Sequence, residues 1–177
     1  MRACSFLHVV LILTPATAAF AGTATITQNI SVQLDSAGKL AAPSALSLLS
    51  SGLAFTDFAG SLNLQYRFRT TPAGSGAITV RAGADFSPSG GPSLSSAALR
   101  YSCSGAGLGT ACSGLQTVSA SAETPIVQIP GSACTGGGGS CSAADPVSIQ
   151  LQFSLDNSPQ YQTGSYSIPL IFTISTL

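Results

Sequence analysis

Carboxylates and cysteines carry most of the chemistry this sequence can offer. A pair of carboxylates drawn from Asp57, Asp85, Glu123, Asp145 and Asp156 could serve glycoside hydrolysis, where one acid protonates and the other attacks or activates water. All five fall in different loops or strand ends, and none sits in a recognisable motif. The single histidine, His8, lies in the apolar N-terminal run, so past that run no imidazole base is available to a serine or cysteine nucleophile and no imidazole to a metal. Asp145 and Asp156 lack the dense acidic spacing of a calcium loop. The expectation is a non-enzymatic chain with no catalytic residues, no metal and no cofactor.

The cysteines give a clearer signal. Cys4 precedes the apolar run, leaving Cys103, Cys112, Cys134 and Cys141. An even number in an exported chain reads as a disulfide framework with three open pairings. Cys103 with Cys112 and Cys134 with Cys141 is favoured, because each pair brackets a Gly- and Ser-rich segment able to curl back on itself. A four-cysteine zinc site would want two-residue gaps within each pair.

Export is expected from the first residues. Met1 and Arg2 lead into the apolar residues 6–13, and Ala19-Phe20-Ala21 before Gly22 fits a small-x-small cleavage site, which makes residues 1–21 a signal peptide and residues 22–177 the mature domain. Without Arg2, the 6 Lys and Arg fall to 5 against 6 Asp and Glu, a net charge near −1. That balance offers no clustered cations for nucleic acid, and no later stretch reads as a membrane anchor.

The elements that must position these groups are strands. Residues 147–155 place Val147, Ile149, Leu151, Phe153 and Leu155 at every second position, and residues 164–175 do the same with Tyr166, Ile168, Leu170, Phe172 and Ile174, the period of a pleated strand. With the turn residues 156–163 between them, the two read as antiparallel neighbours. Residues 61–69 alternate with Leu62, Leu64, Tyr66 and Phe68 inward, and residues 77–83 read as their hairpin partner across a Pro- and Gly-containing turn. Arg67, Arg69 and Arg81 would then share an outer face, either an anion-binding strip or a solvated face paired with Asp57 or Asp85. Shorter strands are expected at 53–58, 98–103, 115–121 and 124–129, and residues 39–51 read as a helical turn or a loose edge strand. About eight short strands with no helical period indicate an all-β, antiparallel two-sheet, Ig-like β-sandwich.

One more stretch stands apart. Residues 23–34 alternate with Ile26, Ile30, Val32 and Leu34 on one side and carry no charge, no proline and no cysteine. It is either the first strand of its own sandwich or an assembly strand that adds to a neighbour's sheet.

Residues 163–175, with Gly164-x-Tyr166 opening an alternating final strand, resemble the end of bacterial pilin-like and surface-associated Ig-like domains. Residues 101–112, Cys134 to Cys141 and Ala144-Asp145-Pro146 resemble small uncharacterised secreted proteins of environmental bacteria. The pilin resemblance implies a structural subunit that reaches the cell surface or exterior through the periplasm. Its partner would be further copies of itself, with residues 22–34 as donor strand. The alternative is a monomeric secreted module that binds a sugar or a protein through loops 86–96, 103–114 and 131–145.

Overall fold

A twelve-residue alternation, Phe58–Arg69, forms the longest strand, and the rest of the fold is arranged around its inward face. The computed structural model describes residues 28–43, 45–50, 52, 55–71, 73–134 and 146–176. The chain divides into units of residues 1–33 and 34–177. In the first unit, residues 28–33 are exposed and belong to no strand.

The second unit contains ten strands among the described residues: β1 (Ala37–Ala41), β2 (Leu49–Ser50), β3 (Phe58–Arg69), β4 (Gly76–Ala82), β5 (Leu99–Ser104), β6 (Thr110–Ala111), β7 (Gln116–Thr117), β8 (Thr124–Ile129), β9 (Val147–Leu155) and β10 (Leu170–Thr176). One sheet runs β1-β3-β9-β5-β7, with β2 on the other end of β3; the second runs β10-β4-β8-β6. Every pairing is antiparallel. The two sheets pack face to face as a β-sandwich, as the alternating patterns predict.

The core lies between them. Leu64, Ile149 and Leu151 of the first sheet and Ile78, Val80, Ile126 and Val127 of the second are fully buried. Tyr101 and Phe153 meet in the same layer with ring centroids 5.7 Å apart, a tilted geometry that aromatic quadrupoles favour. Gly38 of β1 is required by this closure, since a Cβ there would come within 2.9 Å of the Ile174 side chain of β10.

Three connections differ from the sequence expectation. Strands β3 and β4 do not form a hairpin: β3 pairs with β9, and β4 with β10 and β8. Both have apolar inward faces aimed at one core, so they must lie on opposite sides of it. The residues between Arg69 and Gly76 easily span the roughly 10 Å between packed sheets. Likewise β9 and β10 are not neighbours, β9 being interior to the first sheet and β10 the end of the second. The final strand also starts late. Ser167 makes an isolated bridge to Ser87 and the ladder opens only at Leu170, because Pro169 has no backbone donor and offers only its carbonyl, to Gly83 N at 2.8 Å. Tyr166 is therefore half-exposed at the surface, its hydroxyl donating to the Gln162 carbonyl at 2.7 Å.

Smaller differences follow the same physics. Of the strand expected at 53–58, residues 53 and 54 lie outside the described residues, and from residue 55 on the ladder begins only at Phe58, since Phe55 turns the chain with φ 57°. The strand expected over 115–121 is limited to Gln116–Thr117. Beyond it the chain changes sheets: Val118 N donates to Leu99 O in the first sheet at 3.0 Å, while Ser119 O accepts from Ala82 N in the second at 2.9 Å. Residues 39–51, read as a helical turn or loose edge, supply β1 and β2 at the edge of β3.

Because β9 is central and alternates cleanly, Leu151→Ala should cost about 2–5 kcal/mol through transfer and cavity terms. Gln152→Ala, pointing to water, should stay within about 0.5 kcal/mol. Urea unfolding of the oxidised protein measures both; equal losses would mean that the inward face of β9 is misassigned.

Candidate functional site

The described part of the expected first strand, residues 28–34, is assigned to no strand. Residues 28–36 belong to neither sheet, and Ile30, Val32 and Leu34 are 89%, 76% and 70% exposed; Ile26 lies outside the described residues. An alternating pattern specifies a face, but a strand also needs a free edge. The β3 edge away from β9 is occupied by β1 opposite Gln65–Arg69 and by β2 opposite Phe58 and Ala59.

The sheet edges differ in how they are protected. Edge strands expose unpaired backbone groups, and proteins blunt them with shortness, charge or proline. Strands β2, β6 and β7 have only two residues each, and β1 carries Lys39. In contrast, β10 ends its sheet with seven residues, Leu170–Thr176, that include neither charge nor proline. Ile171 on its outer face is 39% exposed.

The loop from β5 to β6 is tied down. Cys103 and Cys112 are bonded across the loop from β5 to β6, as expected. Cys134 is disulfide-bonded as well, and Cys141 lies outside the described residues. Inside that first loop the Leu108 carbonyl accepts from the Tyr66 hydroxyl at 2.5 Å, and Leu108 N donates back to the same oxygen at 3.0 Å. The Tyr101 hydroxyl crosses from one sheet to the other, donating to Pro125 O at 2.8 Å and lying 2.9 Å from Thr124 Oγ1. Burial pushes both phenols above their ordinary pKa, with these hydrogen bonds opposing the shift. Both tyrosines are therefore neutral donors holding loops and sheets together.

The carboxylates are spread over separate structural tasks. Glu123 accepts from Thr79 Oγ1 at 2.7 Å and Thr173 Oγ1 at 3.3 Å on the outer face of the second sheet. Asp156 forms an ion pair with Arg100, raising the guanidinium pKa. Asp85 gathers the loop that follows β4, accepting from Ser93 Oγ at 2.6 Å, Leu94 N at 2.9 Å and Phe86 N at 2.8 Å. Asp145 lies outside the described residues. Among the described residues no group of three or more His, Cys, Asp or Glu is placed to hold a metal.

The arginines do not form the expected strip. Arg67 and Arg69 are on β3 in the first sheet and Arg81 is on β4 in the second, because β3 and β4 are not a hairpin. The cation that joins the β3 arginines is Lys39, which stands directly opposite Arg67. Sequence reading missed it because residues 39–51 have no periodicity that reveals a partner for β3.

Comparison of the chain with protein-family models and with curated proteins finds no match.

The Asp85 cap titrates with a defined sign. Its hydrogen bond from Ser93, then that from Leu94, hold the carboxyl below the usual carboxylate range, with burial opposing them. A lowered folded pKa gives stability that is present above the unfolded value of about 3.9 and is lost as pH falls through the folded value. The stability difference between the parent protein and Asp85→Asn should therefore be constant from neutral pH down to about pH 5 and shrink in acid. Urea midpoints of both proteins between neutral and acidic pH test this; a gap that widens in acid would contradict the cap.

Proposed function

We propose that the chain is exported and serves as a non-enzymatic structural subunit of an extracellular, pilus-like fibre or surface coat, joined to its neighbours by residues 22–34. The carrying observation is the exposure of Ile30, Val32 and Leu34 at alternate positions of a segment that belongs to neither sheet. Export is supported by the order of charge, apolar run and small residues in 1–21, and by the Cys103–Cys112 disulfide, which suits an oxidising compartment. Among the described residues no helix is long and apolar enough to cross a membrane. A structural role accords with the engagement of Asp85, Glu123 and Asp156 in loop, sheet and ion-pair contacts.

The matching acceptor is the outer edge of β10 in a second copy. A strand laid there meets a backbone edge with no charge and no proline to repel it. Burying three aliphatic side chains yields roughly 5–9 kcal/mol gross, at about 1.5–3 each. Association costs roughly 4–15 kcal/mol. The side chains alone leave little surplus, so assembly needs the backbone ladder as well and depends on protein concentration.

Size-exclusion chromatography and negative-stain electron microscopy of the oxidised protein, beside a variant lacking residues 22–34, test the reading. The parent should give filaments or an oligomer ladder and the variant a monomer with the unfolding midpoint of a folded sandwich. Ile30→Asp with Val32→Asp should reproduce the deletion. A sharp monomer from the parent at all concentrations, or an oligomer ladder unchanged by the deletion, would sink it.

A further inference from the structure

After residue 21 the chain has five Lys and Arg in all, 6 less Arg2, and three of them converge on one place. Lys39 of β1 lies opposite Arg67 of β3, and Arg69 is two residues further along the same face. Together with Ala37 and Gly38 they line an open groove of about 200 Å³. Like charges directly opposite each other on neighbouring strands destabilise a sheet. In a chain this poor in charge, the β1–β3 register gathers its only lysine with two arginines on one face. The Nε of Arg69 is oriented by donating to the Asp35 carbonyl at 3.1 Å, which fixes the head of one cation beside the groove.

The groove is smaller than the roughly 300 Å³ at which sites for whole small molecules begin. It suits one oxyanion group, which guanidinium and ammonium donors bind through charge-assisted hydrogen bonds. The stretch of that face next to it, on β3 and β9, is uncharged and rich in amides. Gln65 follows Arg67 inward along β3, and Asn63 stands opposite Gln150 of β9; all three are exposed. A side-chain amide both donates and accepts, which is what a row of sugar hydroxyls requires.

We infer that the outer face of the first sheet binds an acidic polysaccharide, seating one carboxylate or sulfate in the groove of Lys39, Arg67 and Arg69 and the adjoining sugar hydroxyls on Gln65, Asn63 and Gln150. This site is on a different surface from the β10 edge and does not depend on self-assembly. Lys39→Gln should melt no lower than the parent, because it relieves the opposed charges.

Affinity electrophoresis of the oxidised protein through gels containing a polyuronate, a sulfated galactan, an uncharged glucan or single-stranded DNA tests the inference. Retardation is expected in one or both acidic polysaccharides and in neither the glucan nor DNA, and the stronger of the two identifies the oxyanion. Lys39→Gln with Arg67→Gln should weaken retardation about tenfold or more, whereas Arg81→Gln on the other sheet should leave it unchanged. Gln65→Ala with Gln150→Ala should weaken the polysaccharide severalfold while leaving competition by free sulfate at the parent value. Equal retardation by glucan or DNA, no retardation by either acidic polymer, equal loss in Arg81→Gln, or a lower melting temperature for Lys39→Gln would each overturn it.

Discussion

The structure depends on a single dry layer shared by two sheets. Leu62, Leu64, Tyr66 and Phe68 of β3 and Ile149, Leu151, Phe153 and Leu155 of β9 are all at most 8% exposed. They can be so only if a second sheet covers them. Strand β4 does this with Ile78, Val80 and Ala82, and β8 with Ile126, Val127 and Ile129. The polar groups that enter the layer are tyrosine hydroxyls, and each reaches a carbonyl, Leu108 for Tyr66 and Pro125 for Tyr101. No buried side-chain nitrogen or oxygen among the described residues lacks a partner. A layer satisfied in this way specifies a unique packing instead of a merely apolar collapse.

That constraint explains which predictions from sequence succeeded. Inward and outward positions of β3 and β9 were legible because a two-residue period is a local property of each strand. The Cys103–Cys112 bond was legible for the same reason, the two cysteines bracketing one short glycine-rich loop. Pairing was not legible, since it is a relation between segments. Adjacency in sequence suggests adjacency in a sheet, yet β3 to β4 and β9 to β10 both cross the core. In each case the strands bury opposite walls of one layer, and nothing in their own alternation distinguishes that from a hairpin.

The same distinction governs the candidate sites. The alternation of Ile30, Val32 and Leu34 is plain in the sequence, but their exposure is not. The grouping of Lys39 with Arg67 and Arg69 is a consequence of the β1 to β3 register. It replaced an arginine strip inferred from a hairpin that the chain does not make. Charge clusters on a sheet belong to the register, so they become visible only once the strands are ordered.

Two of the described loops are ill suited to recognition by adaptation. One is closed by a disulfide and pinned by Tyr66, another is gathered by Asp85, and both contacts reduce the freedom that an adaptable binding loop uses. Beside these two loops, the described residues offer an edge and a face. A strand added at β10 extends the second sheet within its own plane, whereas Lys39, Arg67, Gln65 and Gln150 point outward from the first sheet. Side chains of successive residues leave a strand on opposite faces, so the groups that close the core between the sheets cannot also occupy that outer surface. Repeating the subunit through its edge would leave the outer face of every copy open, and would present the cationic groove as a linear array. For a polymeric ligand, such an array raises avidity through effective concentration without any change in the single site.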